Sequence, residues 1–315
     1  MQKNILLIGT GNMALEYAKV LKDMRLKFIV VGRGEKSAQN FEEISGIKPI
    51  SGGFEKYITN NILPPNTYTI ITTGTEVLLP TLLLALRNGA DKVLIEKPAA
   101  ISIQELLDNE ERLLSYAENV YIAYNRRFYT SVIEAKRLIE EDGGLLSMYF
   151  EFTEWAHKIE PLHKAPGVKE NWFFANSSHV IDLAFFIAGI PFLWQAYSKS
   201  GKLSWHSKTN FAGAGVTDKG VLFSYLSNWE SAGRWGIELL TEKRRIYLRP
   251  LESLSIQQKG SLAILEHIFD DSIDKRFKPG LKKQVEAFLN DKNSELLGIK
   301  DHLSASKNIL SKMIM

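Results

Sequence analysis

A pair of glycines set between a strand and a helix restricts this chain to few folds from its ninth residue onward. Ile5-Leu6-Leu7-Ile8 is an apolar run of the kind that makes a short buried strand, and Met13 to Leu21 places apolar residues at helical spacing. Between them runs Gly9-Thr10-Gly11-Asn12-Met13-Ala14. In such a strand–turn–helix the first glycine permits the tight turn and the second lets the backbone approach a ligand. The small Ala14 lets the helix pack closely on the strand. Amides at the helix start then face an anion, which the helix dipole favours. The pattern predicts that the phosphates of a dinucleotide sit over Gly9, Thr10, Gly11, Asn12 and Met13.

The rest of the first third repeats the same rhythm. Phe28-Ile29-Val30-Val31, Tyr68 to Thr72, Lys92 to Ile95 and Val120 to Ala123 read as strands, with helices over Leu78 to Leu86 and Gln104 to Ala117. Strands alternating with helices imply right-handed crossovers and a doubly wound parallel sheet of the Rossmann kind, an α/β domain over residues 1–122. After Ala123 the rhythm changes. A helix from Ser131 to Glu141 leads through Gly143-Gly144 into an alternating run, Leu146 to Trp155, and residues 157–171 read as a loop. A helix over Ser177 to Ala188 stops at Gly189 and Pro191, several strand-like runs fill 193–258, and two helices end the chain. Residues 123–315 are therefore expected to form an α+β domain with a large, mostly antiparallel open sheet. Two domains also suit 315 residues, more than one core organises.

Composition excludes several classes. The formal charge is only +3, with basic and acidic residues interspersed, so neither nucleic acid nor a membrane surface is expected as partner. Lys243-Arg244-Arg245, the densest basic cluster, reads as a solvated hairpin turn. The absence of cysteine removes disulfides, thiolate catalysis and cysteine zinc sites, and fits a cytoplasmic location. No apolar run is long enough to span a bilayer, and Met1 to Ile8 does not read as a signal peptide.

Three further groups carry chemistry. The second strand ends in Val31-Gly32-Arg33-Gly34-Glu35-Lys36-Ser37, with glycine where an acid would bind the ribose of NAD. Arg33 can stack on adenine and pair with a 2′-phosphate, assisted by Lys36 and Ser37, so NADP(H) is expected; Glu35 reaching the ribose would serve NAD(H) instead. Glu96-Lys97-Pro98 falls at the C-terminal end of a parallel strand, the edge where open sheets bind ligands, and places an ammonium there. In Asn176-Ser177-Ser178-His179-Val180-Ile181-Asp182, His179 and Asp182 share a helix face, so Asp182 can orient the imidazole for proton transfer. His157, His163 and His179 lack a compact ligand spacing, and no metal site is expected.

In this order and at these spacings, the glycine turn, Glu96-Lys97-Pro98, Tyr124-Asn125-Arg126-Arg127-Phe128 and the helix of His179 resemble the Gfo/Idh/MocA oxidoreductases. This is the family of glucose–fructose oxidoreductase and inositol dehydrogenase. The likeness runs to Lys278-Pro279-Gly280 and Gln284-Val285-Glu286-Ala287-Phe288. It implies Lys97 and His179 beside the nicotinamide and substrate, Thr73, Gly74 and Glu96 against the cofactor, and a homodimer or homotetramer formed through the C-terminal sheet. It also implies a sugar-like substrate and a place in carbohydrate metabolism. Asn176, Asp182, Trp155, Trp172 and Arg126 are the expected substrate contacts, while Arg127 is expected to pair with an acid. Two departures stand out. Thr73-Gly74-Thr75 lacks the family's proline and histidine, and Ala175 replaces the aspartate that usually precedes the histidine by four residues.

The expected reaction is hydride transfer between nicotinamide and a carbinol or carbonyl carbon of a sugar, cyclitol or nucleotide sugar. His179 would exchange the hydroxyl proton and Lys97 would hydrogen-bond the same oxygen. Two other functions suit the same residues: a non-catalytic NADP-sensing regulator, and an imine or enone reductase that needs less from a base.

Overall fold

Five short apolar strands alternate with helices through the first part of the chain: β1 (Asn4–Ile8), β2 (Phe28–Val31), β3 (Thr67–Ile71), β4 (Lys92–Ile95) and β5 (Val120–Ile122). In the computed structural model, which describes residues 3–290 and 293–315, they form one parallel sheet in the order β5-β4-β3-β1-β2. An isolated parallel bridge between Val31 and Ile50 extends it past β2. Leu7, Ile8, Val31, Ile70, Ile71 and Val93 to Ile95 are all buried, as a sheet covered on both faces requires. The chain passes from β1 to β2 and returns on the other side at β3. The space above the strand ends between β1 and β3 is thus the switch point where such sheets bind ligands.

The first break falls after Tyr124, close to the expected boundary near residue 122, but the chain later returns to the first unit, which was not expected. One unit comprises the chain up to Tyr124 together with Leu281–Ser304; the other comprises Asn125–Gly280 and Ala305–Met315. The return to the first unit has a packing reason. The helix Leu281–Leu289 buries Leu281, Val285 and Phe288, and Phe288 meets Tyr68 and Tyr121 edge-on at 5.5 and 6.3 Å. Lys282 pairs with Asp23 at 2.7 Å, and Leu297–Gly298 adds an antiparallel edge to β5.

The second unit holds an eight-stranded sheet: β6 (Ser147–Glu151), β7 (Pro191–Lys199), β8 (Asn210–Thr217), β9 (Leu222–Asn228), β10 (Gly236–Leu240), β11 (Arg244–Leu248), β12 (Ser255–Gln258) and β13 (Ile264–Glu266). Their order is β13-β12-β11-β10-β6-β9-β8-β7, with every pair antiparallel except β6 with β9. Met148, Phe150, Phe223, Tyr225, Ile237 and Leu239 point to the buried face. The helix Ser178–Ala188 covers it, with Phe185 edge-on to Phe150 and Phe223 at 5.5 and 5.2 Å. The other face leaves Leu193, Tyr197, Leu222 and Leu226 exposed. The fold class expected from the sequence is the one observed.

Local departures have local causes. The helix expected over Gln104 to Ala117 is two, Ile103–Asp108 and Glu110–Leu114, parted at Asn109, whose side chain donates to the Glu105 carbonyl. Arg244 is not solvated: it lies in β11 and donates to Asp142 at 2.7 Å. Among the described residues no helix is long and apolar enough to cross a membrane.

Candidate functional site

In the first unit the glycine turn follows β1 and opens the helix Asn12–Asp23. Gly9 has φ +121°, and a Cβ there would meet Thr72 Oγ1 at 2.4 Å, so the turn tolerates only glycine. Gly11 is exposed and a Cβ there would meet nothing, so this side of the turn is open to a ligand. Gly11 also caps the helix with no side-chain hydrogen bond, leaving the first-turn amides to an anion. Ala14 is wholly buried.

A cleft of about 500 Å³ opens over this turn, lined among others by Gly9, Thr10, Gly11, Arg33, Ser37, Thr73 and Gly74. Seven expected cofactor residues therefore share one cavity, while Asn12, Met13, Lys36, Glu96 and Lys97 lie outside its lining. The buried Thr73 Oγ1 has no hydrogen-bond partner among the described residues. The residues fit a dinucleotide: a phosphate turn, an open backbone approach and an orphaned hydroxyl beside it. Within its lining Thr10 Oγ1 donates to Ser37 Oγ at 3.0 Å. A Cβ on Gly32 would lie 2.6 Å from Thr10 Cγ2, so the position of the ribose-binding acid is sterically closed. At Gly53, the start of a helix the sequence reading missed, a Cβ would lie 3.5 Å from the Arg33 Cγ.

Glu96-Lys97-Pro98 follows β4 directly, with the Glu96 amide bonded to the Ile71 carbonyl. Two buried groups hold this corner. Tyr17 Oη donates to Glu96 Oε1 at 3.1 Å, and the His302 ring nitrogen Nε2 meets the Pro98 carbonyl at 2.9 Å. Burial, and then the Glu96 charge, raises the Tyr17 pKa well above the usual phenol value, so it stays protonated. Lys97 itself is partly buried.

In the second unit His179 lies in the first turn of the helix Ser178–Ala188, which a π-helical turn over Phe173–Ser177 precedes. The His179 ring is buried and lies 6.2 Å from that of Trp235. Arg126 and Arg234 set their guanidinium carbons 4.7 and 4.6 Å from the same Trp235 ring. Burial lowers the Arg126 pKa, opposed by the charges of Tyr129, Glu252 and Glu154. Arg127 does pair with an acid: Nε and Nη2 grip both oxygens of Asp182 at 2.8 and 2.6 Å. Trp155 donates to the Gly233 carbonyl at 2.9 Å and carries Arg234 over its ring. Trp172 packs edge-on to Trp205 at 6.4 Å. Among the described residues no three His, Asp or Glu side chains group as metal ligands.

The residue that sequence reasoning overlooked here is Glu154. It is 1% exposed, yet accepts from Asn176 Nδ2 at 3.0 and 3.1 Å and from Ser177 Oγ at 2.8 Å, with Arg234 Nη1 at 3.7 Å. Burial raises its pKa against the pull of these partners. Its cue lies in the alternation: Met148, Phe150 and Phe152 point inward, and the next inward position is Glu154. Ala175 is buried, so the helix of His179 offers Asn176 as the nearest polar group before it that is partly exposed.

No family model and no curated protein sequence matches the chain. Solved structures share its fold over almost its full length. An oxidoreductase from Desulfitobacterium hafniense aligns with a TM-score of 0.77 at 14% identity, covering 99% of this chain and 94% of its own. Levoglucosan dehydrogenase, solved with NADH and L-sorbose, aligns at 0.74 and 17% identity, covering 99% and 96%. The WlbA dehydrogenase from Chromobacterium violaceum, solved with NADH and UDP-GlcNAcA, aligns at 0.69 and 14% identity, covering 99% and 92%. At these identities the likeness is one of fold.

Proposed function

We propose that this chain is a nicotinamide-dependent oxidoreductase of the Gfo/Idh/MocA type that acts on a carbinol or carbonyl carbon of a sugar, cyclitol or nucleotide sugar. The observation that carries the reading is the cleft over the glycine turn, where Gly9, Gly11, Arg33, Ser37, Thr73 and Gly74 line one cavity. The neighbours solved with NADH and with L-sorbose or UDP-GlcNAcA support the same reading by analogy of fold. Steric closure of Gly32 and the placement of Arg33 and Ser37 favour NADP(H) over NAD(H).

A bound nicotinamide supplies or accepts the hydride. In the oxidative direction His179 takes the hydroxyl proton, and Lys97 donates a hydrogen bond to the same oxygen, stabilising its developing negative charge. Arg126, Trp155, Trp172 and Asn176 are assigned to the substrate, whereas Asp182 works through its ion pair with Arg127. Assembly through the open face of the eight-stranded sheet and a cytoplasmic location complete the proposal.

The test is turnover of NADPH or NADP by the purified protein with a panel of sugars, cyclitols and nucleotide sugars. Lys97→Met and His179→Ala are each expected to lower turnover about 100-fold or more. Near-normal turnover in both would defeat the assignment. One observation favours a second reading: the buried methyl of Ala175 stands where family dehydrogenases carry aspartate. Tight NADP binding with no turnover of any substrate would support the non-catalytic regulator.

A further inference from the structure

Glu154 is a carboxylate with almost no access to water, and its ligands come from the turn that leads into His179. A structural tie between two segments would be met as well by a neutral pair, without the cost of burying a charge. A carboxylate does something an amide or hydroxyl does not, because it only accepts hydrogen bonds. The two ends of an asparagine amide have nearly the same shape, and a neighbour that accepts only decides which end faces it. Asn176 meets Glu154 with Nδ2, so its Oδ1 is turned away from that carboxylate.

We propose that Glu154 is a positioning residue of the hydride-transfer site: it locks the Asn176 amide so that Oδ1 is presented as the acceptor for a substrate hydroxyl. The inference rests on the oxidoreductase reading above. It supplies from the end of the β6 segment the carboxylate that Ala175 does not, acting through Asn176 rather than on the substrate itself. Ser177 Oγ, Arg234 and Trp172 also act on the carboxylate.

Glu154→Gln keeps the shape but can face Asn176 with either a donor or an acceptor, so the lock is lost. With the best carbinol substrate, kcat/KM is expected to fall about 10- to 100-fold, the scale of one hydrogen bond involving a charged group, chiefly through KM. Glu154→Asp, which still only accepts, is expected to retain more activity than Glu154→Gln. The double variant Glu154→Gln, Asn176→Asp turns the pair round. An amide then donates from position 154, and a carboxylate oxygen at 176 becomes the presented acceptor, so activity returns to within about tenfold of wild type. Asn176→Asp alone sets two carboxylates together and is expected to be the least active.

A readout independent of turnover is the side-chain amide of Asn176 in ¹⁵N-labelled protein. Its resonances are expected to move, and its exchange with water to quicken, in Glu154→Gln. Unmoved resonances, or a folded double variant no faster than Glu154→Gln, would overturn the inference. If wild type turns over no substrate, the oxidoreductase reading fails separately, and the amide resonances still decide whether Glu154 sets the amide.

Discussion

Tyr17 Oη donates to Glu96 Oε1 across 3.1 Å, tying the helix that opens at the glycine turn to the corner that carries Lys97. The tyrosine is fully buried, and Gln284 Oε1 lies 3.4 Å from the same hydroxyl. Removing a buried hydroxyl while leaving its charged acceptor in place costs about 1–3 kcal/mol. Tyr17→Phe is expected to lower the urea midpoint accordingly without changing the slope. An unchanged midpoint would mean that Glu96 is satisfied without this bond.

Cofactor choice should be separable from cofactor binding. Arg33→Ala is expected to weaken NADPH about tenfold or more, the scale of a lost charge-assisted pair, and to leave NADH nearly unchanged. Gly32→Asp alone is expected to weaken both, because its Cβ would meet Thr10 Cγ2 at 2.6 Å. Adding Thr10→Ala opens that space, and the double variant should prefer NADH. Fluorescence titration with both cofactors measures each case, and equal loss of NADH and NADPH in Arg33→Ala would refute the assignment.

The Arg127–Asp182 pair is about nine-tenths buried on both sides and bidentate. Asp182→Asn removes the charge gripped by Nε and Nη2 of Arg127, and the expected loss is about 3 kcal/mol. Arg127 also packs its guanidinium on the Phe186 ring at 4.6 Å, so the apolar double variant Arg127→Met, Asp182→Leu should recover much of the loss. Urea unfolding of the two variants tests this; equal destabilisation in both would show that packing, not charge, governs the site.

The open face of the eight-stranded sheet exposes Leu193 and Tyr197 on β7 and Leu222 and Leu226 on β9, joined through β8. Apolar strands left uncovered in this way mark association surfaces. Leu193→Glu with Leu226→Glu is expected to convert a homo-oligomer to monomer in light scattering, with the cofactor affinity of the first unit unchanged. A wild-type monomer, or an oligomer untouched by both charges, would rule out assembly through this face.

Much of this was legible because it follows from local pattern. Strand and helix periodicity gave the parallel sheet, and the spacing of Gly9 and Gly11 gave the turn under the cleft. What escaped depends on tertiary closure. The return of Leu281–Ser304 to the first unit is decided by where Phe288 finds Tyr68 and Tyr121, which no local pattern records. His302 reaches the Pro98 carbonyl from 204 positions away. The break at Asn109 turned on one side chain competing for a backbone carbonyl. Glu154 was within reach, since a carboxylate in the inward phase of an alternating sequence run is an anomaly that asks for a partner.

That anomaly carries a prediction about stability. Burial raises the Glu154 pKa, while Ser177, Arg234 and Asn176 pull it down without cancelling the rise. Arg234 lies 3.7 Å from the carboxylate, and Arg126 is coupled to it through charge. The folded state therefore holds the Glu154 proton more tightly than the unfolded chain does. Above the folded pKa the ionised group opposes folding, and the penalty is relieved as pH falls through that value towards the unfolded one. Glu154→Gln, which has no charge to bury, is expected to melt higher than wild type at pH 8. The difference should shrink as the pH falls through the folded pKa towards the ordinary carboxylate value. Melting curves of both proteins across this range measure it, and a wild type more stable than the variant at pH 8 would contradict the argument. A variant that gains stability while losing kcat/KM would identify Glu154 as a residue retained for the site rather than for the fold.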